Sequence, residues 1–463
     1  MKFKHQLCTA LLAMATIVAS AATKEIKTKV PSRSSDQICM VGYAAPAIDT
    51  VRVGFVGLGM RGPGAVERFT HIEGTKIVAL CDVEPERVEY CQEILRKNGR
   101  PEAVAYTGSE DAWKQMAERD DIDLLYIVTD WKHHAMMGKY GMEHGKHVAI
   151  EVPAAMTLDE IWSLINTSEK TRKHCMMLEN CVYDFFEMNT LNMAQHGLFG
   201  DLVHVEGSYI HNLEQFWPYY WKNWRLLYNE ENRGDVYATH GMGPACQLLD
   251  IHRGDRMTTL VAMDSDPFTG PKIVKNQVGR ESTNFQNGDH TMTMIRTEKG
   301  KTIHIQHDVM NPRPYSRMYQ CTGTKGFANK YPNEGYAFEA EALAGASNAL
   351  PNAENLSGHD YLNDDQKAAL VAQYTHPIIK EIGELAKTVG GHGGMDFIMD
   401  YRLVYCLRNG LPLDMDVYDL AEWCSLAPLT ELSIKNGCAP VAVPDFTRGG
   451  WNKVNGFRHA FKK

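Results

Sequence analysis

The chain has 463 residues, 44% of them hydrophobic and 23% charged, with a formal net charge of −9. That composition excludes collagen-like, coiled-coil and wholly disordered chains, and at roughly 150 residues per domain the length predicts two or three domains. Lys and Arg are scattered among acids, so no basic stripe is available to displace counterions, and nucleic acid is not expected as a partner.

Lys2 and Lys4 precede an apolar run from Leu7 to Val18, and the small residues Ala19-Ser20-Ala21-Ala22 follow. This is the layout of a secretory signal peptide with an A-x-A cleavage pattern, so residues 1–22 are expected to be removed and the protein exported to the periplasm. The run is too short for a stable membrane anchor, and no later stretch approaches the ~18 apolar residues that a span needs. Eleven cysteines are present without a C-x-x-C pair. Cys8 falls in the signal. The rest read as core thiols, because a chain with a large core does not need disulfide staples.

Residues 23–49 lack periodicity and read as an extended linker. A domain is then expected over 50–182. Val51-Arg52-Val53-Gly54-Phe55-Val56 is a buried strand leading straight into Gly57-Leu58-Gly59-Met60-Arg61-Gly62, and 64–72 allow a helix. Apolar strands recur at 76–81, 123–129, 147–151 and 174–179, with helical sequence at 84–98 and 133–144 between them. Continuous apolar strands alternating with helices predict a parallel sheet covered on both faces, a doubly wound Rossmann domain.

From 183 to 463 the pattern changes to a second domain. Segments 203–210, 290–297 and 301–307 alternate like strands with one exposed face, and Arg317 to Cys321 adds another. Residues 345–358 read as a loop, and helices are expected at 364–389, 395–409 and 416–425. The fold class expected is therefore α/β, with an N-terminal Rossmann domain and a C-terminal α+β domain on a largely antiparallel sheet.

The glycine motif draws its meaning from its setting. It follows a strand, opens a helix and has an acid, Asp82, 20 residues beyond Gly62. Gly57 permits the tight turn, Gly59 lets the backbone approach a pyrophosphate and Gly62 allows close helix–strand packing. The helix N-terminus favours the phosphates. Asp82 would accept from ribose hydroxyls and repel a 2′-phosphate, so NAD is expected rather than NADP.

Trp131-Lys132-His133-His134 and Glu151-Val152-Pro153 fall at strand carboxyl ends, where ligands of such sheets bind. No metal is expected. Adjacent histidines seldom reach one ion, and His304 and His307 stand on opposite faces of a strand. Tyr237 and His240 are three apart, so a helical turn would bring them to one face. Tyr209 on its strand reads equally as a plain aromatic face, and Arg225 as a surface cation stacked on tryptophan.

The strand order, glycine motif and E-x-P resemble the Gfo/Idh/MocA oxidoreductase family. In that family a lysine usually stands between the Glu and the Pro; here it is Val152. With Leu58–Gly62, Trp131–His134, Glu151–Pro153, Tyr237–Gly241 and Gly391–Asp396, the chain resembles one branch, glycoside hydrolase family 109, which contains NAD-dependent α-N-acetylgalactosaminidases. The resemblance implies NAD contacts from Met60, Arg61, Asp82, Trp131, Lys132, His133, His134, Glu151, Val152, Asn180 and Tyr237. It implies a sugar site lined by Tyr209, Arg225, Tyr237, Ala238, Thr239, His240 and Tyr315.

The route implied is oxidation at C3 by NAD⁺, loss of the C2 proton with elimination of the C1 aglycone, water addition and re-reduction. His240 and Tyr237 would be the acid–base groups, and NAD would not be consumed. The alternatives are an NAD-dependent sugar or inositol dehydrogenase and a non-catalytic, NAD-containing sugar-binding protein. The partner expected is a small-molecule or glycan substrate, and a homo-oligomer is left open.

Overall fold

A computed structural model describes residues 24–343, 350 and 352–462. The expected signal peptide over 1–22 lies outside the described residues, as do 345–349 and 351 of the expected loop.

Six strands form a parallel sheet in the order β3-β2-β1-β4-β5-β6. They are β1 (Val51–Val56), β2 (Thr75–Cys81), β3 (Val104–Tyr106), β4 (Leu124–Ile127), β5 (His147–Ile150) and β6 (Cys175–Met177). The helices between them are α1 (Gly62–Thr70), α2 (Pro85–Lys97), α3 (Ala112–Ala117), α4 (Trp131–Glu143) and α5 (Leu158–Thr171). All of β4, β5 and β6 is buried, which is why these strands read as unbroken apolar runs. Winding starts at β1 and reverses direction at β4. The two crossovers diverge there and open a crevice at the strand carboxyl ends. Helix α5 was not expected, although Thr157 and Glu160 form a full capping box at its start.

The second sheet has eight strands in the order β13-β12-β11-β7-β10-β9-β8-β14. They are β7 (Leu202–Ile210), β8 (Met257–Asp264), β9 (Thr291–Thr297), β10 (Thr302–Asp308), β11 (Tyr319–Gly323), β12 (Gly326–Asn329), β13 (Gly335–Phe338) and β14 (Val441–Ala442). Among the described residues only β7 and β10 pair in parallel within this sheet, so it is largely antiparallel, as expected. Strand β9 alternates strictly: Thr291, Thr293 and Ile295 face in, while Met292 and Met294 face out.

Helices α6 (Phe185–Gln195), α7 (Trp224–Glu231), α8 (Thr239–Leu248) and α9 (Gly270–Val278) precede or interrupt these strands. Helices α10 (Asp364–Tyr374), α11 (Pro377–Val389), α12 (Met395–Asn409), α13 (Val417–Cys424) and α14 (Leu426–Lys435) fall between β13 and β14. The single helix expected over 364–389 is two, because Pro377 disfavours helical backbone at the residue before it.

Residues 24–50 are largely extended but strapped to the body. Ile26 bridges to Val441, and Arg33 reaches the buried Glu169 of α5 at 2.8 Å. A fully buried carboxylate needs such partners, and Arg448 supplies another.

Helix α8 lies against β7 at backbone contact. A Cβ on Gly207 would come 2.7 Å from Gly241. Overpacking of this kind costs about 1–3 kcal/mol. Gly241→Ala is therefore expected to lower unfolding stability by that amount in urea titrations.

Candidate active site

The crevice begins at the turn after β1. Gly57 has φ +86°, and a Cβ there would lie 2.5 Å from the Val128 carbonyl oxygen. Its neighbour Gly59 is different, since a Cβ there would meet nothing nearer than the Arg87 tip at 3.6 Å. The space above Gly59 is thus left open by the protein, as a closely approaching diphosphate requires. Helix α1 starts here with no side-chain cap, so its first N–H groups remain available to an anion. Asp82 Oδ2 accepts from Leu58 N–H at 2.6 Å and holds the glycine turn against β2. These features fit NAD, whose phosphates Gly57, Gly59 and the start of α1 would hold and whose adenosine end Asp82 would meet.

The far wall of the crevice comes from the second domain. Trp131 opens α4 behind Asp130, whose side chain accepts from His133 N–H. The Trp131 ring stacks on Tyr237 at 5.5 Å between centroids and 19° between planes. Arg61 reaches Glu151 at 3.3 Å and crosses the domain boundary to Asp396 at 3.0 Å. Asp396 also accepts from Asn180 at 2.6 Å and pairs with His392 at 3.0 Å. One turn along α12, Asp400 pairs with Arg68 of α1 at 2.7 Å and accepts from Tyr126 at 2.8 Å. Burial opposes the charge on Asp396, but Arg61, His392 and Arg68 outweigh it and hold this carboxyl well below the usual range.

Beside the crevice lies a cavity of about 420 Å³ whose lining includes Tyr209, Arg225, Tyr237, His240, Tyr315 and Arg317. Tyr209, Tyr237 and His240 form one aromatic cluster, with centroids 4.8 to 5.2 Å apart. Arg225 is buried, donates to the Tyr220 hydroxyl at 2.7 Å and lies 4.3 Å over the Tyr237 ring. Among the described residues its Nε and Nη2 have no hydrogen-bond partner, nor has Arg317 Nε. Burial lowers the His240 imidazole to about 4, against the opposing pull of Glu179. Burial also raises Tyr237 well above its ordinary value despite Arg225. At neutral pH the pair is a neutral imidazole and a neutral phenol.

The expected residues divide into those at the cavities and those behind them. Gly57, Gly59, Met60, Arg61, Asp82, Trp131, His133, His134, Glu151, Val152 and Tyr237 line the crevice, and Asn180 lines the neighbouring cavity. Lys132 is exposed and lies outside both linings, because the first turn of α4 points it to solvent. His134 is fully buried, with its ring nitrogens on the Thr129 and Pro153 carbonyls at 3.0 and 2.8 Å, so it braces the loop after β5. Gly62 sits beneath Gly57 rather than at the surface of the crevice. Ala238 and Thr239 are buried and absent from the cavity wall, which Tyr237 reaches from the turn before α8 and His240 from its first turn. Arg225 is no surface cation.

Sequence reasoning missed Asp396, Asp400, Glu179 and Arg317. The first two carried a signal, two acids four apart in the otherwise apolar start of α12. Glu179 and Arg317 carried none. The fold also brings Glu179, Cys181 and His240 together with possible ligand atoms within 4.8 Å, a cluster invisible in the spacing. Cys181 is held by burial as a thiol, 3.0 Å from Arg317 Nη1, which makes it a poor cation ligand.

Residues 183–453 match a family model described as glycosyl hydrolase 109, C-terminal domain, and 51–179 match the oxidoreductase family, NAD-binding Rossmann fold. The chain is 70% identical over 445 residues to glycosyl hydrolase family 109 protein 1 of Phocaeicola vulgatus, covering 96% of this chain and 94% of that one. Its identity to the protein of that description from Bacteroides thetaiotaomicron is 68% over 436 residues, covering 94% and 93%. A solved levoglucosan dehydrogenase in complex with NADH has a TM-score of 0.61 at 16% identity, covering 85% of this chain and 99% of that one. At that identity the likeness concerns the fold.

Asp82→Ala removes the acceptor that holds the glycine turn. Hydrogen bonds to charged groups contribute about 1.5–3 kcal/mol, so purified protein should retain roughly tenfold less NAD or lower, read from the cofactor released on denaturation. Asp396→Asn should cost about 3 kcal/mol at pH 7, because it takes a buried charge from between Arg61 and Arg68 and leaves them only Glu151 and Asp400. The Asp396 carboxyl is depressed when folded. Its contribution is therefore complete above the ordinary carboxylate range and is lost only as pH falls through the lower folded value. The stability gap between wild type and variant should hold from neutral pH to about 4 and narrow below it.

Proposed function

Since the chain belongs to glycosyl hydrolase family 109, we propose that it releases terminal α-linked N-acetylgalactosamine, with NAD as a resident cofactor that is not consumed. The observation that carries this reading is the make-up of the cavity wall. Ordinary glycosidases set two carboxylates across the scissile bond. Here one carboxylate lines the cavity, Glu151, and it is tied to Arg61 and to the Val152 N–H. The other polar groups of the wall are instead mostly histidines, tyrosines and arginines.

When bound, NAD would supply a reversible two-electron oxidation at C3 of the sugar, with the O3 proton passing to solvent water and returning when C3 is reduced again; the ketone acidifies the hydrogen on C2. His240, neutral at working pH, takes the C2 proton. The C1–O bond breaks as the C1–C2 double bond forms, and the aglycone leaves with the bonding pair. Water then adds at C1 while His240 returns a proton to C2. Tyr237 stays a phenol and donates its hydrogen bond to the oxygen on C3 as negative charge builds there. Arg317, with an unpartnered Nε, adds positive charge to the same chamber. Val152 stands where related dehydrogenases carry a proton-moving lysine, which favours the hydrolase reading over the dehydrogenase.

The domain division at 182/183 and export directed by residues 1–22 belong to this proposal. Among the described residues no helix is long and apolar enough to cross a membrane. A reaction that restores its own cofactor suits a compartment with no NAD pool.

Incubation with p-nitrophenyl α-N-acetylgalactosaminide should release nitrophenol without accumulating NADH, and deuterium at C2 should wash out into solvent. His240→Ala should lower turnover by about 10²- to 10⁴-fold, the range for a lost acid–base group. NADH accumulating with free sugar and no nitrophenol would identify a dehydrogenase instead. Full retention of the label would rule out elimination, and unchanged turnover in the variant would remove His240 from the chemistry.

A further inference from the structure

Glu179 follows β6 in the first domain, and its side chain is wholly buried. Its Oε1 accepts from His240 Nδ1 at 2.7 Å and from Cys181 N–H at 3.0 Å, while Oε2 has no partner. A carboxylate in such a place costs several kcal/mol unless its charge is used. The second domain is shaped to meet it. One turn beyond His240, a Cβ on Gly243 would lie 2.8 Å from Glu179 Cγ, so α8 can approach only because that position is glycine. The contact spans both domains, joining the end of the cofactor sheet to the helix that presents His240 to the cavity.

We propose that Glu179 is the positioning residue for His240. Its carboxylate fixes the imidazole tautomer with hydrogen on Nδ1, leaves Nε2 as the base toward the sugar, and stabilises the imidazolium formed when Nε2 takes a proton. This rests on the hydrolase reading above, in which His240 moves the C2 proton. The same logic orients imidazoles in hydrolytic triads and around metals. The other groups facing the ring are accounted for. Arg317 and His392 act against protonation, and the Tyr209 and Tyr237 rings flank the imidazole at 5.2 and 5.0 Å. Glu179 is the group that opposes them. Burial resists its charge, but His240, the Cys181 N–H and Arg317 keep it ionised.

The holoenzyme carrying Glu179→Gln tests this, since the amide keeps shape and an acceptor oxygen but not the charge. With p-nitrophenyl α-N-acetylgalactosaminide, kcat should fall about 10²- to 10³-fold with KM changed by less than about twofold. The acid limb of kcat against pH should move to lower pH, because an imidazolium without its carboxylate is a stronger acid. Glu179→Asp should restore part of kcat. NAD content and melting temperature should stay near wild type. A kcat close to wild type, or a loss of kcat and stability together with the acid limb unmoved, overturns the proposal. ¹⁵N-histidine NMR of the wild-type holoenzyme gives a reading independent of turnover, with the His240 signal identified by its absence in His240→Ala. Hydrogen on Nδ1 is expected, and hydrogen on Nε2 overturns the proposal. If wild type releases no nitrophenol, the hydrolase reading fails while the tautomer still decides the dyad.

Discussion

Two arginines, Arg61 at the cap of α1 and Arg68 within it, meet two aspartates of α12, and the site is built around that crossing. Arg61 caps the start of α1 and Arg68 follows seven residues on, while Asp396 and Asp400 are four apart on α12. Each carboxylate is buried and takes a further donor, Asn180 or Tyr126, from the first domain. A buried carboxylate without its cation would be strongly unfavourable, so the second domain has one workable seat on the first. That seat sets where His392 lies against Arg61, where Tyr237 stacks on Trp131, and how wide the crevice stands.

The chamber reached through that crevice is electrostatically unusual. Arg225 and Arg317 are buried with unpartnered donors, while the imidazole and phenols around them are neutral. Such a chamber stores positive potential at low dielectric, where it acts most strongly on an anion formed in place. Of the two carboxylates here, Glu151 in the wall is paired with Arg61, and Glu179 is held behind His240. Strong bases and cations are thus kept from neutralising one another, because each is assigned its partners by the backbone around it.

Much of the first domain was legible because its strands are buried on both faces and therefore appear as unbroken apolar runs. Strands β9 and β10 were legible for the opposite reason, a clean alternation across a half-exposed sheet. Short strands such as β12 and β13 and the helices α5, α7 and α9 were missed. The strands are only four residues each, whereas the helices are amphipathic and α5 also carries a capping box, so their signal was present in the sequence and went unread. Lys132, Ala238 and Thr239 show a related limit. A motif marks a segment, but the turn of the backbone decides which of its side chains reach the ligand.

By itself the sequence determined an acidic two-domain chain, a glycine turn opening a helix and the acid that follows it, and a tyrosine and histidine spaced to share a helical face. These features are local, set by dihedral freedom, periodicity and spacing along one chain. Tertiary structure decided the rest: that Asp396 and Asp400 clamp α1, that Arg225 is buried rather than exposed, and that Glu179 stands behind His240. Each of those depends on groups far apart in the chain, and their charges are tolerable in the interior only once folding has brought the partners within hydrogen-bond distance.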